Sequence, residues 1–330
     1  MNIPQIPRVL AFLVSGTAFL VGFQPSARAE KGAEFMTAVS STAYKGYVRE
    51  KLPDGTLKPE YYSFGDGGKM VGQMDDDTID NVAFPDVARM LAQALAGQKY
   101  LAATDPKTTG LLIMLYWGTT HVDDPIQDSA TFLHYQDVRN AIGSDPLPAV
   151  PSGKPVPTTI NGSLLQAMNN PPSGTDDQMA ALADAVTMMN MENEGRTRTD
   201  FGNAKLLGYD NFEQAGLVST DFGVGIGHTP LGLVQHDETL EVERPRYFVI
   251  LMAYDFQMMW KEKKHRLLWE ARFNINQPHN DFTKALPAMA NYASRYFGKN
   301  SHGLVRESIR EGNVSVGEPT LVELLSTPSK

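Results

Sequence analysis

The residues best placed for chemistry are one histidine and two aspartates that follow a run of seven apolar residues, 111–117. Loops after the ends of buried strands commonly carry ligand-binding side chains. The trio is His121, Asp123 and Asp124. Imidazole and carboxylate groups serve as general acids and bases, and they also bind hard or borderline metal ions. The sequence therefore offers a candidate hydrolytic or metal site here, and a solvated polar loop that ends at Pro125 is the simpler alternative.

Methionine is unusually frequent, with 15 residues in the chain. Three of them cluster at Met188, Met189 and Met191, and thioether sulfur is a ligand for Cu(I). Methionine is also a flexible filler of protein cores. Because Met179 and Met189 fall on the apolar stripe of a predicted helix, core packing is favoured over a copper site. No cofactor is predicted.

Several motifs that would announce an enzyme class do not occur in the chain. The sequence contains no cysteine, which removes disulfides, thiolate nucleophiles and cysteine-bound zinc or iron–sulfur clusters. It also lacks the G-x-S-x-G, S-x-x-K and H-E-x-x-H patterns. The glycines in 223–227 do not form a dinucleotide-binding loop, because no helix pattern follows them. The aspartates in 75–80 lack the spacing of an EF-hand.

The chain is acidic, with 29 lysines and arginines against 38 aspartates and glutamates and a formal charge of −9. Residues 1–29 hold Arg8 and Arg28 and no acid, so their removal would bring the charge to −11. A net negative charge repels nucleic-acid phosphates and anionic lipid headgroups. Nucleic-acid binding is therefore not expected.

The N-terminus has the pattern of a secretory signal peptide. Arg8 precedes the mainly apolar stretch 9–23, and the small residues Ala27 and Ala29 stand before Glu30. This arrangement predicts cleavage between Ala29 and Glu30. The apolar stretch is shorter than the roughly 18 residues expected of a membrane span. We expect export to a bacterial periplasm or to the extracellular space, with no membrane span after cleavage, and the lack of cysteine suits a bacterial envelope protein.

Hydrophobic periodicity predicts both strands and helices. Continuous apolar runs are typical of strands buried on both faces, and apolar residues at i, i+3, i+4 and i+7 are typical of helices. Pro287 is expected within the first turn of the last helix, where its missing N–H costs little. The predicted strands span residues 35–48, 61–64, 111–117, 247–254 and 267–275. The predicted helices span residues 85–97, 176–190 and 283–297.

These elements indicate an α+β fold with a mixed or antiparallel sheet, helices packed on one face and an irregular Pro/Gly-rich insertion. The order strand, helix, buried strand in the first half is that of a crossover connection. A charged turn at 261–264 is expected to join the last two strands into a hairpin. The predicted organisation is a signal peptide at 1–29, the N-terminal half of the domain at 30–144, an insertion with one helix at 145–243 and the C-terminal half at 244–330.

Two segments carry a family resemblance. Residues 84–117 combine a helix, the turn Gly97-Gln98-Lys99-Tyr100 and an apolar strand that ends in an aromatic residue. Residues 254–269 combine a strand, a charged turn and a strand that bears Trp269. Both resemble an uncharacterised family of small exported bacterial envelope proteins, most of them lipoproteins. The chain departs from that family by lacking the lipidated cysteine and by its long insertion, and the resemblance implies export and fold only.

The function expected from the sequence is that of a non-enzymatic exported envelope protein that binds a ligand or a protein partner, or supports envelope structure. The alternative is an exported hydrolase in which His121, Asp123 and Asp124 form an acid–base or metal site. Acid–base pairs follow no linear spacing rule, so both hypotheses stay open at this point.

Overall fold

The computed structural model describes residues 34–44, 46–144, 147, 158–209, 212 and 238–310 of the chain. The predicted leader with its Ala29–Glu30 cleavage site and the glycine series 223–227 lie outside the described residues.

Within the described part of the chain, seven strands form one mixed sheet in the order β3-β2-β4-β5-β6-β1-β7. β2 pairs in parallel with both β3 and β4, and the remaining neighbours are antiparallel. With its helices, this sheet confirms the predicted α+β class. The strands are β1 (Glu34–Ala43), β2 (Glu60–Met70), β3 (Tyr100–Ala102), β4 (Leu111–Thr119), β5 (Arg246–Asp255), β6 (Leu267–Asn276) and β7 (Val305–Arg310).

The helices divide into those next to the sheet and those in the stretch between β4 and β5. A short 3-10 turn, Ile126–Asp128, precedes the second group. The helices are α1 (Asp77–Asp80), α2 (Phe84–Gly97), α3 (Ala130–Ile142), α4 (Gly162–Asn169), α5 (Asp176–Leu207), α6 (Phe256–Glu262) and α7 (Phe282–Ser294). Among the described residues, no helix combines the length and the apolarity needed to cross a bilayer.

The central strands form where the sequence predicts them. β4 and β5 are antiparallel neighbours whose apolar runs are largely buried, and β5 and β6 form the expected antiparallel pair. In β6, alternate residues from Trp269 to Ile275 enter the main core, as period-2 alternation requires. α2 lies in the chain between the parallel strands β2 and β4, and Pro85 occupies its first turn. The crossover inferred from the sequence is therefore confirmed.

The main core lies between one face of the sheet and helices α1, α2 and α7. It joins Leu91 and Leu95 of α2 with Leu286 and Met289 of α7 over the alternate, inward-facing residues of the strands. The end of α5 packs on the opposite face, where Leu207 contacts a cluster that includes Phe248 and Ile250 of β5. The sheet therefore has helices on one face and the end of a long helix on the other.

A second small core lies among α3, α4 and the first half of α5. Phe132 and Tyr135 of α3, Leu164 of α4, and Leu182 and Met189 of α5 are buried there together. The stretch 145–243 thus contains α4 in addition to the single helix that the periodicity indicates. We call the part built on this core the helical lobe.

The prediction that the helix starting at residue 176 ends near residue 190 was wrong, because α5 continues to Leu207. A capping box of Thr175 and Gln178 starts the helix as the acidic N-terminus suggested. A helical glycine costs about 1 kcal/mol. Gly195 faces open space, while Arg196 and Asn203 donate buried hydrogen bonds to backbone carbonyl oxygens, and these contacts offset that cost.

Other boundaries also differ from the sequence prediction. The first strand, predicted over residues 35–48, ends at Ala43. The strand predicted to end before Gly65 runs on to Met70, because parallel pairing with β4 continues along it. Pro287 lies in the second turn of α7 and not in the first, since the helix begins at Phe282. The first two residues of the charged turn predicted at 261–264 belong to a capped helix, α6, which ends at Glu262.

Candidate functional site

The loops after the parallel strands β2 and β4 meet at the carboxyl edge of that pair, the part of an α/β sheet where ligands most often bind. Gln73 follows β2, and its Oε1 accepts a hydrogen bond from the Val122 N–H at 3.1 Å. Its Nε2 lies 2.8 Å from Nε2 of His121. One side chain therefore joins the two loops.

This pairing indicates which nitrogen of the His121 ring accepts a hydrogen bond. Because the Oε1 of Gln73 is taken by a backbone N–H, its amide N–H₂ faces the imidazole, and Nε2 of His121 must accept. With this orientation of the amide, the hydrogen-bond network assigns a ring proton to Nδ1. The ring is exposed, and the carbonyl oxygen of His121 accepts a bond from Asn203 Nδ2 at 2.6 Å.

The three predicted site residues have different surroundings. His121 contacts Gln73, as described. Asp123 is half-buried and close to Asp200, while Asp124 is exposed and contributes its backbone carbonyl to a bond from Arg196. Of the three side chains, Asp123 is the one that interacts with another carboxyl, that of Asp200.

This group of carboxyls includes two buried residues that the sequence did not indicate. Asp200 on α5 is 7% exposed, and Glu243, just before β5, is also buried. Burial, and then the negative charges of Glu243 and Asp123, raise the pKa of Asp200 to about 8, while Arg196 opposes the shift. We call Asp123, Asp200 and Glu243 the carboxyl cluster. At neutral pH its central member is largely protonated and can donate a hydrogen bond.

Arg196 only partly offsets these charges because its donors serve other groups. Its Nε and one terminal nitrogen donate to Glu192 Oε1 at 3.0 and 2.7 Å. Its other terminal nitrogen donates to the carbonyl oxygens of Thr158 and Asp124. The arginine therefore fastens the loop after β4 to α5, and the region around Asp200 stays acidic.

The loop that holds Gln73 also exposes apolar side chains. Val71 and Met74 belong to the same loop as Gln73, and they are 70% and 63% exposed. Exposed apolar side chains beside polar ones that can form hydrogen bonds are typical of sites that recognise a ligand or partner. The edge therefore combines apolar contact area, an imidazole and a carboxyl cluster. We call it the carboxyl-edge site.

No group of three or more histidine or carboxylate residues within the described part of the chain is arranged to hold a metal ion. The three methionines considered as a copper site differ in their exposure to solvent. Met189 is buried in the helical lobe, whereas Met188 and Met191 are 50% and 70% exposed. The predicted role of Met179 and Met189 in core packing agrees with their places in that lobe.

Among the aspartates at 75–80, Asp76 has a structural role. Asp76 is the N-cap of α1 and also accepts hydrogen bonds from Tyr247 Oη at 2.5 Å and Gln277 Nε2 at 2.9 Å. Burial opposes its ionisation, but the bonds from Tyr247, Thr78 and Gln277 outweigh burial and lower its pKa. The carboxylate thereby ties α1 to the start of β5 and the end of β6.

A signal for the missed residues was present in the sequence. Arg196, Asp200 and Asn203 are spaced i, i+4 and i+7, so they share one face of a helix, and all three are buried. A polar stripe at helical spacing, in place of an apolar one, indicates a helix face that binds other polar groups. Glu243 and Gln73 carry no comparable local signal.

No protein-family model matches this chain, and no curated protein matches it significantly.

Proposed function

We propose that the chain is an exported envelope protein that binds a ligand or protein partner at the carboxyl-edge site without transforming it. The observation that supports this proposal is the contact of Gln73 with both His121 and Val122, which builds one continuous surface from the two loops. The proposal of export comes from the leader pattern in the sequence.

The composition of the surface indicates the chemistry of its ligand. Val71 and Met74 of one loop offer apolar area, and Asp123 of the other loop belongs to the acidic carboxyl cluster. Burial is the main cause of the raised pKa of Asp200, and a cationic group next to Asp123 would offset the second cause, the negative charges of Glu243 and Asp123. We therefore expect a ligand with an ammonium or guanidinium group attached to an apolar body, such as a basic peptide segment.

Binding without catalysis fits the geometry of His121 better than base catalysis does. Its Nε2 is hydrogen-bonded to Gln73, and this contact would have to break before that nitrogen could take a proton from a substrate.

The test is native mass spectrometry of residues 30–330, purified gently from the native envelope. We expect a bound small molecule or partner on the unchanged protein, and its loss from the double variant His121→Ala/Asp123→Asn. The matched control is His134→Ala/Asp177→Asn, which changes the same residue types at exposed positions on α3 and α5. A bare monomer from all three preparations would contradict the proposal, and so would equal retention by the two variants.

One observation favours the hydrolase alternative, namely the protonated Asp200 beside Asp123 and Glu243. Carboxyls whose pKa values are pushed apart can act as an acid and a base. If this alternative is correct, Asp200→Asn removes the proton donor and lowers kcat by roughly two to four orders of magnitude in a hydrolase screen. Turnover that survives this change would exclude Asp200 as the acid.

A further inference from the structure

The connection from β5 to β6 exposes an aromatic and basic surface at the other end of the sheet. It consists of residues 256–266, which are α6 and the four residues that follow it. We call this surface the α6 tip. No residue of α6 is buried, and residues 260–265 are all exposed. Trp260 is 43% exposed, with its ring 6.2 Å from that of Phe256. A tryptophan this exposed is unusual for a residue with so large an apolar surface.

The α6 tip is positively charged within an acidic protein. It contains Lys261, Lys263, Lys264 and Arg266, together with His265. Glu262 pairs with Lys264 at 3.2 Å, and Asp255, at the start of the tip, pairs with Arg266 at 3.7 Å. Among the described residues, no ion pair involves Lys261 or Lys263. Two lysines are therefore available to an external anion.

This surface is held in a defined shape. Gln257 Nε2 donates to the carbonyl oxygens of Pro106 and Thr109 at 2.9 and 2.7 Å. Asp255 caps the helix by accepting from the Met258 N–H at 3.0 Å, and Lys263 ends it in the left-handed conformation, with φ of 58°. The tryptophan and the lysines are thus presented on an anchored turn, so binding would not have to order a loose loop.

The net charge of the protein does not prevent an anionic surface from approaching the α6 tip. Charges farther apart than about 8 Å are largely screened at physiological ionic strength. Leu111, the first residue of β4, pairs with Asp255 at the tip, whereas Thr119 at the far end of β4 leads into the carboxyl-edge site. A nine-residue strand is about 27 Å long, so the acidic cluster lies well beyond screening range.

We propose that the α6 tip is a membrane-surface contact that docks on anionic lipid headgroups. Tryptophan prefers the interface between headgroups and acyl chains, and lysines beside it attract negatively charged lipid. The tip lies at the opposite end of β4 from the carboxyl-edge site, so a molecule resting on the membrane through α6 keeps that site free. This proposal stands on different residues from the proposed ligand binding, and either can fail alone.

The test uses the natural tryptophans as reporters of binding. The chain has three, and Trp117 and Trp269 are buried in the core, so Trp260 is the one that a bilayer can reach. Residues 30–330 are mixed with vesicles of phosphatidylglycerol and phosphatidylethanolamine, and separately with phosphatidylcholine vesicles. We expect sedimentation with the anionic vesicles only, and quenching of tryptophan fluorescence by brominated acyl chains. Trp260→Phe should bind with little change but lose the quenching.

The charge requirement is tested with a triple variant, Lys261→Gln/Lys263→Asn/Lys264→Gln. Asparagine is chosen at position 263 because it tolerates the left-handed conformation there. Each lysine near an anionic surface contributes about a fivefold gain in affinity, so we expect a loss of about a hundredfold. The control, Lys51→Gln/Lys205→Gln/Lys299→Gln, removes the same charge at exposed sites outside the tip.

Three outcomes would overturn the proposal. They are no binding to anionic vesicles, equal loss of affinity in the tip variant and the control, and binding without quenching of Trp260. A protein that co-purifies through the α6 tip while vesicles do not bind would assign the surface to a protein partner instead.

Discussion

Asp200 has a pKa of about 8 because it is buried next to the negative charges of Glu243 and Asp123. In an unfolded chain the same group titrates near 3.9. Below about pH 4 the carboxyl is protonated in both the folded and the unfolded state, so its ionisation does not reduce the free energy of unfolding. Between about pH 4 and 8 the unfolded state loses the proton that the folded state retains, so stability falls as pH rises. Above about pH 8 both states are ionised and the full penalty is present.

Replacing this residue should therefore change how stability depends on pH. The free energy of unfolding of the unchanged protein should fall from pH 5 to pH 8, while that of Asp200→Asn should not. We therefore expect the difference between the two proteins to grow in favour of the variant by on the order of a few kcal/mol over this range. The neutral amide has nearly the same shape and no proton to lose. Urea denaturation at both pH values measures the difference. Parallel stability curves for the two proteins would show that Asp200 is not the group responsible.

Asp76 illustrates the opposite sign. Its pKa is lowered, so its contribution to stability is present above the unfolded value near 3.9 and is lost as pH falls through the folded value. Two aspartates in one protein thus oppose each other in their pH dependence. The cause is that Asp76 receives hydrogen bonds from neutral donors, whereas Asp200 lies beside other carboxyls.

At the scale of elements, the parallel contact between β2 and β4 shapes the carboxyl edge. Gly118 pairs with Met70, and a Cβ at Gly118 would overlap the backbone carbonyl oxygen of Met70. The strands can approach this closely only because position 118 has no side chain. Residues 119–124 and 71–74 begin directly after this contact, so the spacing of the two loops follows from it.

Gly118→Ala is expected to destabilise the protein by about 2–3 kcal/mol, because backbone atoms have little room to move away. The same substitution at Gly97 is the control. Nothing lies within 4 Å of a Cβ there, and alanine is the better helix former, so we expect a change of less than about 1 kcal/mol. Thermal denaturation of both variants measures the effects, and equal melting temperatures would contradict this account of the strand contact.

At the scale of the whole molecule, the described residues form three apolar clusters, and α5 joins two of them. Its 32 residues extend about 48 Å. Its first half is part of the helical lobe, and its end packs on the face of the sheet opposite the main core. Since few apolar contacts join the lobe to the main core, the two can differ in local stability.

Leu182→Ala should therefore weaken the helical lobe selectively. The change removes a buried side chain from the lobe core, at a cost of about 2–5 kcal/mol. We expect faster hydrogen exchange in α3, α4 and the first half of α5, with little change in β4 and β5. Leu251→Ala in the sheet is the comparison, and it should raise exchange throughout. Uniform acceleration by Leu182→Ala would show a single cooperative unit.

The sequence by itself determined the elements whose signals are local. The apolar runs of β4 and β5 and the alternation in β6 follow from burial on two faces or on one, and this pattern can be read within ten residues. The stripe and first-turn proline of α2 are equally local. For the same reason, the sequence identified the loop of His121, Asp123 and Asp124 as the end of a buried strand.

The tertiary structure decided which groups interact, because those contacts join residues far apart in the chain. Gln73 meets His121 across 48 positions, and Glu243 lies 43 positions beyond Asp200. The length of α5 also depended on tertiary contacts, since buried polar groups on one face offset the cost of Gly195. Propensity and periodicity describe a segment and its nearest neighbours, whereas burial and charge at Asp200 depend on the whole packed arrangement.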